Sequence, residues 1–244
     1  MSDFKNKVNA TMEQIKKIYK ADTRPWVIGY SGGKDSTTVT QLIFNAIAEL
    51  PKAERHKPIY IISSDTLVET PLIISYIDNV MTRIETKASE LDLPITTHIV
   101  QPEIDKTFWA TLIGKGYPSP RQKFRWCTDK LKIDPANKFI LNKVSEFGEV
   151  IMVLGVRKNE SASRDQVLKA RSVKGKILRL HSTLNNAYVY APIENFSVDD
   201  VWEYLLSYDS PWGSDNNELL QLYQDSSGEC PLVVDKSTPS CGNS

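Results

Sequence analysis

Apolar residues recur along the chain at two alternating periods. Val8, Met12, Ile15 and Ile18-Tyr19 fall at helical spacing, so a helix is predicted over residues 5–20, ending before Arg24-Pro25. Trp26 to Tyr30 is a short apolar run suited to a buried strand. Beyond Gly32-Gly33, the residues Val39, Leu42, Ile43, Ala46, Ile47 and Leu50 mark one face of a helix closed by Pro51. Ile59 to Ile62 predicts a second strand, running into Ser63-Ser64-Asp65-Thr66, and Leu72 to Leu91 a third, amphipathic helix. Ile95–Val100 and Val150–Leu154 predict a third and a fourth strand, each between helical segments. Ser197-Val198-Asp199-Asp200 has the pattern of a capping box opening a helix whose face is Val198, Val201, Trp202, Leu205 and Leu206. After it the sequence reads as polar and irregular.

Alternation of this kind predicts an α/β fold, a mostly parallel sheet flanked by helices on both faces. The 244 residues suffice for one such domain, expected over 1–210, with residues 211–244 as a C-terminal tail that carries Cys230 and Cys241. A composition of 41% hydrophobic and 25% charged residues excludes a disordered chain. The N-terminal segment mixes charges throughout and no apolar run approaches membrane-spanning length, so a cytoplasmic protein without membrane association is expected. Three cysteines, Cys127, Cys230 and Cys241, lie far apart, which argues against a disulfide framework and turns attention to thiol or metal chemistry. His56, His98 and His181 have no ligand-like spacing, and Trp202 and Trp212 read as packing residues.

The net charge of zero conceals a strong segregation. Residues 121–138 carry six Lys/Arg against two Asp, and residues 157–179 carry eight against two acids; from Glu194 to Glu229 there are nine acids and no Lys or Arg. A basic middle of this kind fits a polyanion-binding surface or internally paired loops.

The stretch Gly29-Tyr30-Ser31-Gly32-Gly33-Lys34-Asp35-Ser36 stands where the first strand gives way to its helix. At that point backbone N–H groups face outward with the helix dipole behind them. Gly32 and Gly33 permit close approach of an anion, Lys34 adds a charge, and Ser31 and Ser36 add hydroxyls. A Walker loop would require Gly at 28 and Ser or Thr at 35, where this chain has Ile28 and Asp35, and the dinucleotide Gly-x-Gly-x-x-Gly pattern is also missing. Asp35 has two readings: a ligand for Mg2+ beside ATP oxygens, or a first-turn acid that stabilises its helix.

Ser-Gly-Gly-Lys-Asp-Ser resembles the pyrophosphate-binding loop of the N-type ATP pyrophosphatases, which split ATP between the α and β phosphates. Three further stretches resemble the phosphoadenosine phosphosulfate reductase branch of that superfamily: Arg125 to Pro135, Gly155 to Arg164, and Ala191 to Leu205, the last with Phe196 where tryptophan is usual. The matches run in family order over about 180 residues. Within the branch, Arg125 to Asn137 and the terminal Ser-Thr-Pro-Ser-Cys-Gly-Asn-Ser are most similar to the sulfurtransferases of DNA phosphorothioation.

That resemblance implies a Rossmann-like three-layer nucleotide-hydrolase fold, ATP cleavage, a [4Fe–4S] cluster, and as partners DNA, a cysteine desulfurase and other DNA-modification subunits, with homo-oligomerisation left open. It makes Lys34, Ser36 and Cys127 the candidate catalytic residues. It assigns ATP binding to Ser31, Gly32, Gly33, Lys34, Asp35, Ser36, Asp65, Arg157 and Arg164, the two arginines having surface ion pairing as their other reading. Cys127, Cys230 and Cys241 are the implied cluster ligands; Cys127, among Arg121, Lys123, Arg125, Lys130 and Lys132, is alternatively a persulfide carrier. Relatives continue into further cysteines where this sequence stops at Ser244, so either the sequence is truncated, or the cluster is incomplete or takes a non-cysteine fourth ligand. The competing expectations are a phosphosulfate reductase, which takes sulfur from a nucleotide without cleaving ATP, a tRNA-thiolating enzyme, and a nucleotide- and DNA-binding subunit without turnover.

Overall fold

Trp26, Val27 and Ile28 are all buried, because the strand they form lies in the middle of a sheet covered on both faces. The computed structural model describes residues 2–121, 124–158 and 177–225. After helix α1 (Ser2–Lys20) come β1 (Trp26–Gly29), α2 (Lys34–Ala48), β2 (Ile59–Ser64), α3 (Pro71–Glu90) and β3 (Ile95–Val100). A one-turn α4 (Trp126–Thr128) and a π-helical turn (Asp129–Ile133) lead into α5 (Asp134–Phe147), followed by β4 (Val150–Val153). The described chain ends with β5 (Arg179–Leu180), β6 (Ala187–Tyr190), α6 (Val198–Ser207) and α7 (Asn216–Asp225).

The strand order is β3-β2-β1-β4-β6-β5, parallel except for β5, which pairs antiparallel with β6. Alternate residues of β1 face opposite layers. Trp26 and Ile28 join the core built with α1, α2, α3 and α6, whereas Val27 packs with Ile62, Ile140 and Val150 under α5. Both β2 and β4 flank β1, so the chain changes direction across the sheet there, the topological switch point at which parallel α/β sheets hold their ligands.

The predicted elements are present with small shifts at their ends. The α6 capping box is formed: the Ser197 hydroxyl accepts from the Asp200 N–H at 3.0 Å and the Asp200 carboxylate from the Ser197 N–H at 2.6 Å. Its buried face differs from the expected one, since Val201, Tyr204 and Leu205 are buried while Val198 and Leu206 are about half exposed. Tyr204 wins the inward position by stacking on Tyr208, with its hydroxyl near Asn45. β5, β6 and α7 were not foreseen, and the stretch read as polar and irregular contains α7. That helix is fixed by buried Asn216, which donates to the carbonyls of Leu205 and Tyr208 and accepts from Gln41 at 2.8 Å.

At the amino ends of the strands, opposite the β1–α2 loop, Lys57 is fully buried against the rings of Tyr19 and Trp26 and pairs with Asp22 at 3.0 Å. Burial pushes the Asp22 carboxyl up, but hydrogen bonds from Arg24 and Lys57 outweigh it and hold the group below its ordinary value of 3.8. A carboxyl depressed on folding contributes stability that is present above the unfolded value and lost as pH falls through the folded one. Urea unfolding midpoints are therefore expected to drop as pH falls below about 4, and Asp22→Asn is expected to remove part of that slope.

His56 lies within hydrogen-bond distance of the carbonyls of Glu54 and Asp22, His98 packs between Tyr60 and Phe139, and His181 accepts from the N–H groups of Thr183 and Leu184. All three have the packing or surface roles expected of them. Among the described residues no helix is long and apolar enough to cross a membrane.

Candidate functional site

The loop after β1 folds on itself through its two serines. The Ser31 N–H donates to Ser36 Oγ at 3.2 Å, the two hydroxyls are 3.2 Å apart, and Ser36 Oγ donates to the Gly33 carbonyl at 2.9 Å. Gly32 has φ +71°, a conformation side chains disfavour. Gly33 occupies the N-cap of α2 without a side-chain hydrogen bond, so the first-turn N–H groups are offered outward.

Behind the loop lies an ion network. Asp35 pairs through Oδ1 with Arg157 Nε and through Oδ2 with Lys34 Nζ at 3.2 Å, and Arg157 is buried. Both carboxylate oxygens thus meet cations, which ties the first turn of α2 to the segment after β4. The segment after β4 reaches the loop through Gly155, where an added Cβ would lie 2.8–2.9 Å from backbone atoms of Asp35 and Ser36. Only glycine allows that approach.

A cleft of about 350 Å³ opens at the carboxyl ends of β1, β2 and β4, within the range of small-molecule sites. Val27, Ile62, Met152 and Leu154 form its apolar floor, Ser31 joins it to the loop, and Ser63 and Ser64 supply polar edges. Glu69 and Lys132 line it as well, 3.6 Å apart, with Thr66 Oγ1 donating to Glu69 at 3.0 Å. Asp65 lies at the end of β2, but its carboxylate accepts from the Leu67 N–H at 2.9 Å and from Gln101 at 2.8 Å.

The loop's other side is closed by α7. A smaller chamber of about 200 Å³ lies between Gly32, Gly33 and Tyr76 on one side and Leu219, Leu222 and Tyr223 on the other. The Tyr223 hydroxyl accepts from the Lys34 N–H at 3.2 Å, and the Lys34 ammonium sits 5.1 Å from the centre of that ring. Tyr223 is braced edge-to-face against Trp202. Its oxygen occupies an N–H that a bound anion would take. Removing it in Tyr223→Phe is expected to tighten binding of inorganic pyrophosphate about fivefold, the worth of roughly 1 kcal/mol of hydrogen bond, measured by titration calorimetry.

Cys127 does not line the cleft. It is buried with Phe108, Trp126 and Leu131, while Lys130 turns over the Tyr117 ring and Lys132 toward Glu69. Among the described residues no group of three or more His, Cys, Asp or Glu is placed to hold a metal ion. Cys230, Cys241 and Arg164 lie outside the described residues. The structure therefore unites Ser31, Gly32, Gly33, Lys34, Asp35, Ser36 and Arg157, and sets Asp65 and Cys127 apart from them. Sequence reading missed Glu69, Lys132 and Tyr223.

The profile of the phosphoadenosine phosphosulfate reductase domain matches residues 25–214, well over half of the chain. The chain belongs to that family. The match contains the loop, the Cys127 element, Gly155 and Arg157, and stops just before α7. An uncharacterized protein of Methanocaldococcus jannaschii, MJ0066, is 26% identical over 198 residues, covering 81% of this chain but only 35% of its own length, so this chain spans about a third of that relative. Phosphoadenylyl-sulfate reductase from Candida auris, solved as a phosphate complex, superposes with a TM-score of 0.53 at 15% identity over 87% of this chain and 84% of its own. The U34-tRNA thiolase NcsA from Methanococcus maripaludis, solved with its [4Fe–4S] cluster, gives 0.51 at 16% identity over 93% and 68%. At such identities the likeness establishes the fold alone, a mostly parallel sheet flanked by helices.

Proposed function

We propose that this chain is an ATP pyrophosphatase that adenylates a DNA backbone phosphate so that sulfur can replace one of its non-bridging oxygens. A phosphodiester oxygen is a poor leaving group. Attack by that oxygen on the α phosphorus of ATP breaks the α–β bridge, releases pyrophosphate and leaves AMP on the oxygen to be replaced; sulfide, released from the desulfurase persulfide by a thiol reductant that is oxidised to disulfide, then displaces AMP. The first-turn N–H groups of α2 and Lys34 would stabilise the charge that develops on pyrophosphate, with Ser31 and Ser36 holding the loop in shape and Asp35 and Arg157 steadying Lys34. Mg2+ enters this reading as the counter-ion carried by ATP.

The observation that carries the reading is the charge balance of the cleft beside an anion-binding loop. Among the described residues the cleft's lining contains one cation, Lys132, and an acid beside it, Glu69, on an otherwise mostly apolar floor. Such a lining suits an uncharged adenosine whose phosphates lie at the loop. A DNA acceptor and a cysteine desulfurase as sulfur source are supported by the resemblance of Arg125 to Asn137 to the phosphorothioation enzymes. No step is assigned to an iron–sulfur cluster, because the described residues include only Cys127 of its expected ligands, and that thiol is buried among aromatic rings.

The deciding experiment is mass spectrometry of nuclease-digested DNA from cells with and without the gene. Phosphorothioate dinucleotides present only with the gene support the proposal, and their absence in both would overturn the DNA assignment. The family match itself favours a second reading, a phosphosulfate reductase, which thioredoxin-dependent sulfite release from the phosphosulfate would identify.

A further inference from the structure

Between Phe108 and Trp126 the chain builds an array of five aromatic rings outside the main core. Trp109 meets Phe108 edge-on at 5.1 Å, Phe108 stacks on Trp126 at 5.4 Å, Trp126 meets Tyr117 at 5.7 Å, and Tyr117 stacks on Phe124 at 6.5 Å. The middle of the array is packed, with Phe108 and Trp126 buried, but its two ends are not: Trp109 is 59% and Phe124 44% exposed. Single exposed apolar residues are ordinary, but exposed rings joined through one stacked array form a patch of the kind that marks interaction sites.

The sequence around these ends is rich in cations. From Asp105 to Lys132 it has seven Lys/Arg and two Asp; Lys106, Lys115 and Lys132 pair with Glu103, Asp105 and Glu69, while the Lys130 ammonium lies 5.4 Å from the Tyr117 ring centre. Exposed aromatic faces among cations are the combination that holds unpaired nucleotides, the rings stacking bases and the cations tracking phosphates.

The array shares a wall with the nucleotide cleft. Leu131 is buried in the aromatic cluster and Lys132, the next residue, lines the cleft; Val68 packs on the cluster and Glu69, the next residue, lines the cleft. A strand lying across the rings would therefore pass the mouth where the α phosphate is attacked.

We infer that Trp109 and Phe124, with Lys130, form the surface on which the acceptor binds, and that the acceptor is single-stranded or locally unpaired nucleic acid. This rests on the proposed function in taking a nucleic acid as substrate. The test is fluorescence anisotropy of the full chain with a labelled 20-nucleotide DNA strand, the same RNA strand and the DNA duplex, over a range of salt, with ATP binding measured in parallel. Single strands should bind more tightly than duplex. Trp109→Ala and Phe124→Ala should each weaken single-strand binding about tenfold with ATP affinity unchanged, and Trp109→Phe should restore most of it. Lys130→Gln should lower the salt slope by about 0.7. The DNA and RNA arms identify which strand is preferred. Unchanged strand affinity in both alanine variants, or variants that alter only self-association, would overturn the surface. Strand binding through Trp109 without pyrophosphate release from ATP would uphold the surface and sink the proposed function; DNA-stimulated pyrophosphate release indifferent to Trp109→Ala would do the reverse.

Discussion

Replacing Lys34 by alanine is expected to lower pyrophosphate release from ATP by about a hundredfold or more, the usual effect of deleting a preorganised group that meets developing transition-state charge, while the protein stays folded. The ammonium contacts Asp35 and the Tyr223 ring, both at the site's rim, and supports no part of the core. Thermal unfolding should therefore shift little, and the loss should fall on kcat. A steady-state assay coupled to pyrophosphate, run beside a melting curve, separates the two.

The second large effect is expected at Gly155. Alanine there places a methyl group against the carbonyl carbon and oxygen of Asp35 and the nitrogen of Ser36, backbone atoms that cannot swing aside as a side chain would. Relief requires the loop or the segment after β4 to move, and overpacking of this kind costs about 1–3 kcal/mol, a fall of roughly 2–4 °C in melting temperature per kcal/mol at this chain length. Because the displaced atoms begin α2, ATP affinity should fall by more than tenfold as well. Gly114→Ala is the matched control: nothing lies within 4 Å of its added Cβ, and neither property should change.

The sheet's main strands and the loop between β1 and α2 were legible because their signals are local. Continuous apolar runs bounded by glycine or proline located β1 to β4, and the spacing of Gly32, Gly33 and Lys34 marked the loop as a candidate anion site. β5 and β6 escaped because they have only two and four residues, although Asn185-Asn186 between them, with Asn186 at φ +61°, is a turn signal that could have revealed the hairpin. α7 escaped because its apolar stripe follows Ser214 to Asn217, a run typical of loops; Asp215 in fact begins the helix by accepting from the Asn217 N–H.

The site's supporting contacts were illegible for another reason: they are long-range. Arg157 meets Asp35 across 122 residues and Tyr223 meets the Lys34 N–H across 189. No spacing rule joins such positions; only the sheet order, which places β4 beside β1, and the buried Asn216, which seats α7, bring them together. The surroundings of Cys127 were illegible too: the helical turn carries Lys130 over the Tyr117 ring and Lys132 toward Glu69, and the sulfur packs in an aromatic cluster.

The central claim is that the loop holds the β and γ phosphates of ATP while AMP is transferred. It is tested most directly by identifying the products when the protein is incubated with Mg2+-ATP, DNA, a cysteine desulfurase, cysteine and a thiol reductant, followed by phosphorus NMR. Equal amounts of AMP and pyrophosphate, lost in Lys34→Ala, are the predicted result. ADP and phosphate, or intact ATP alongside sulfite release from a phosphosulfate nucleotide, would contradict it.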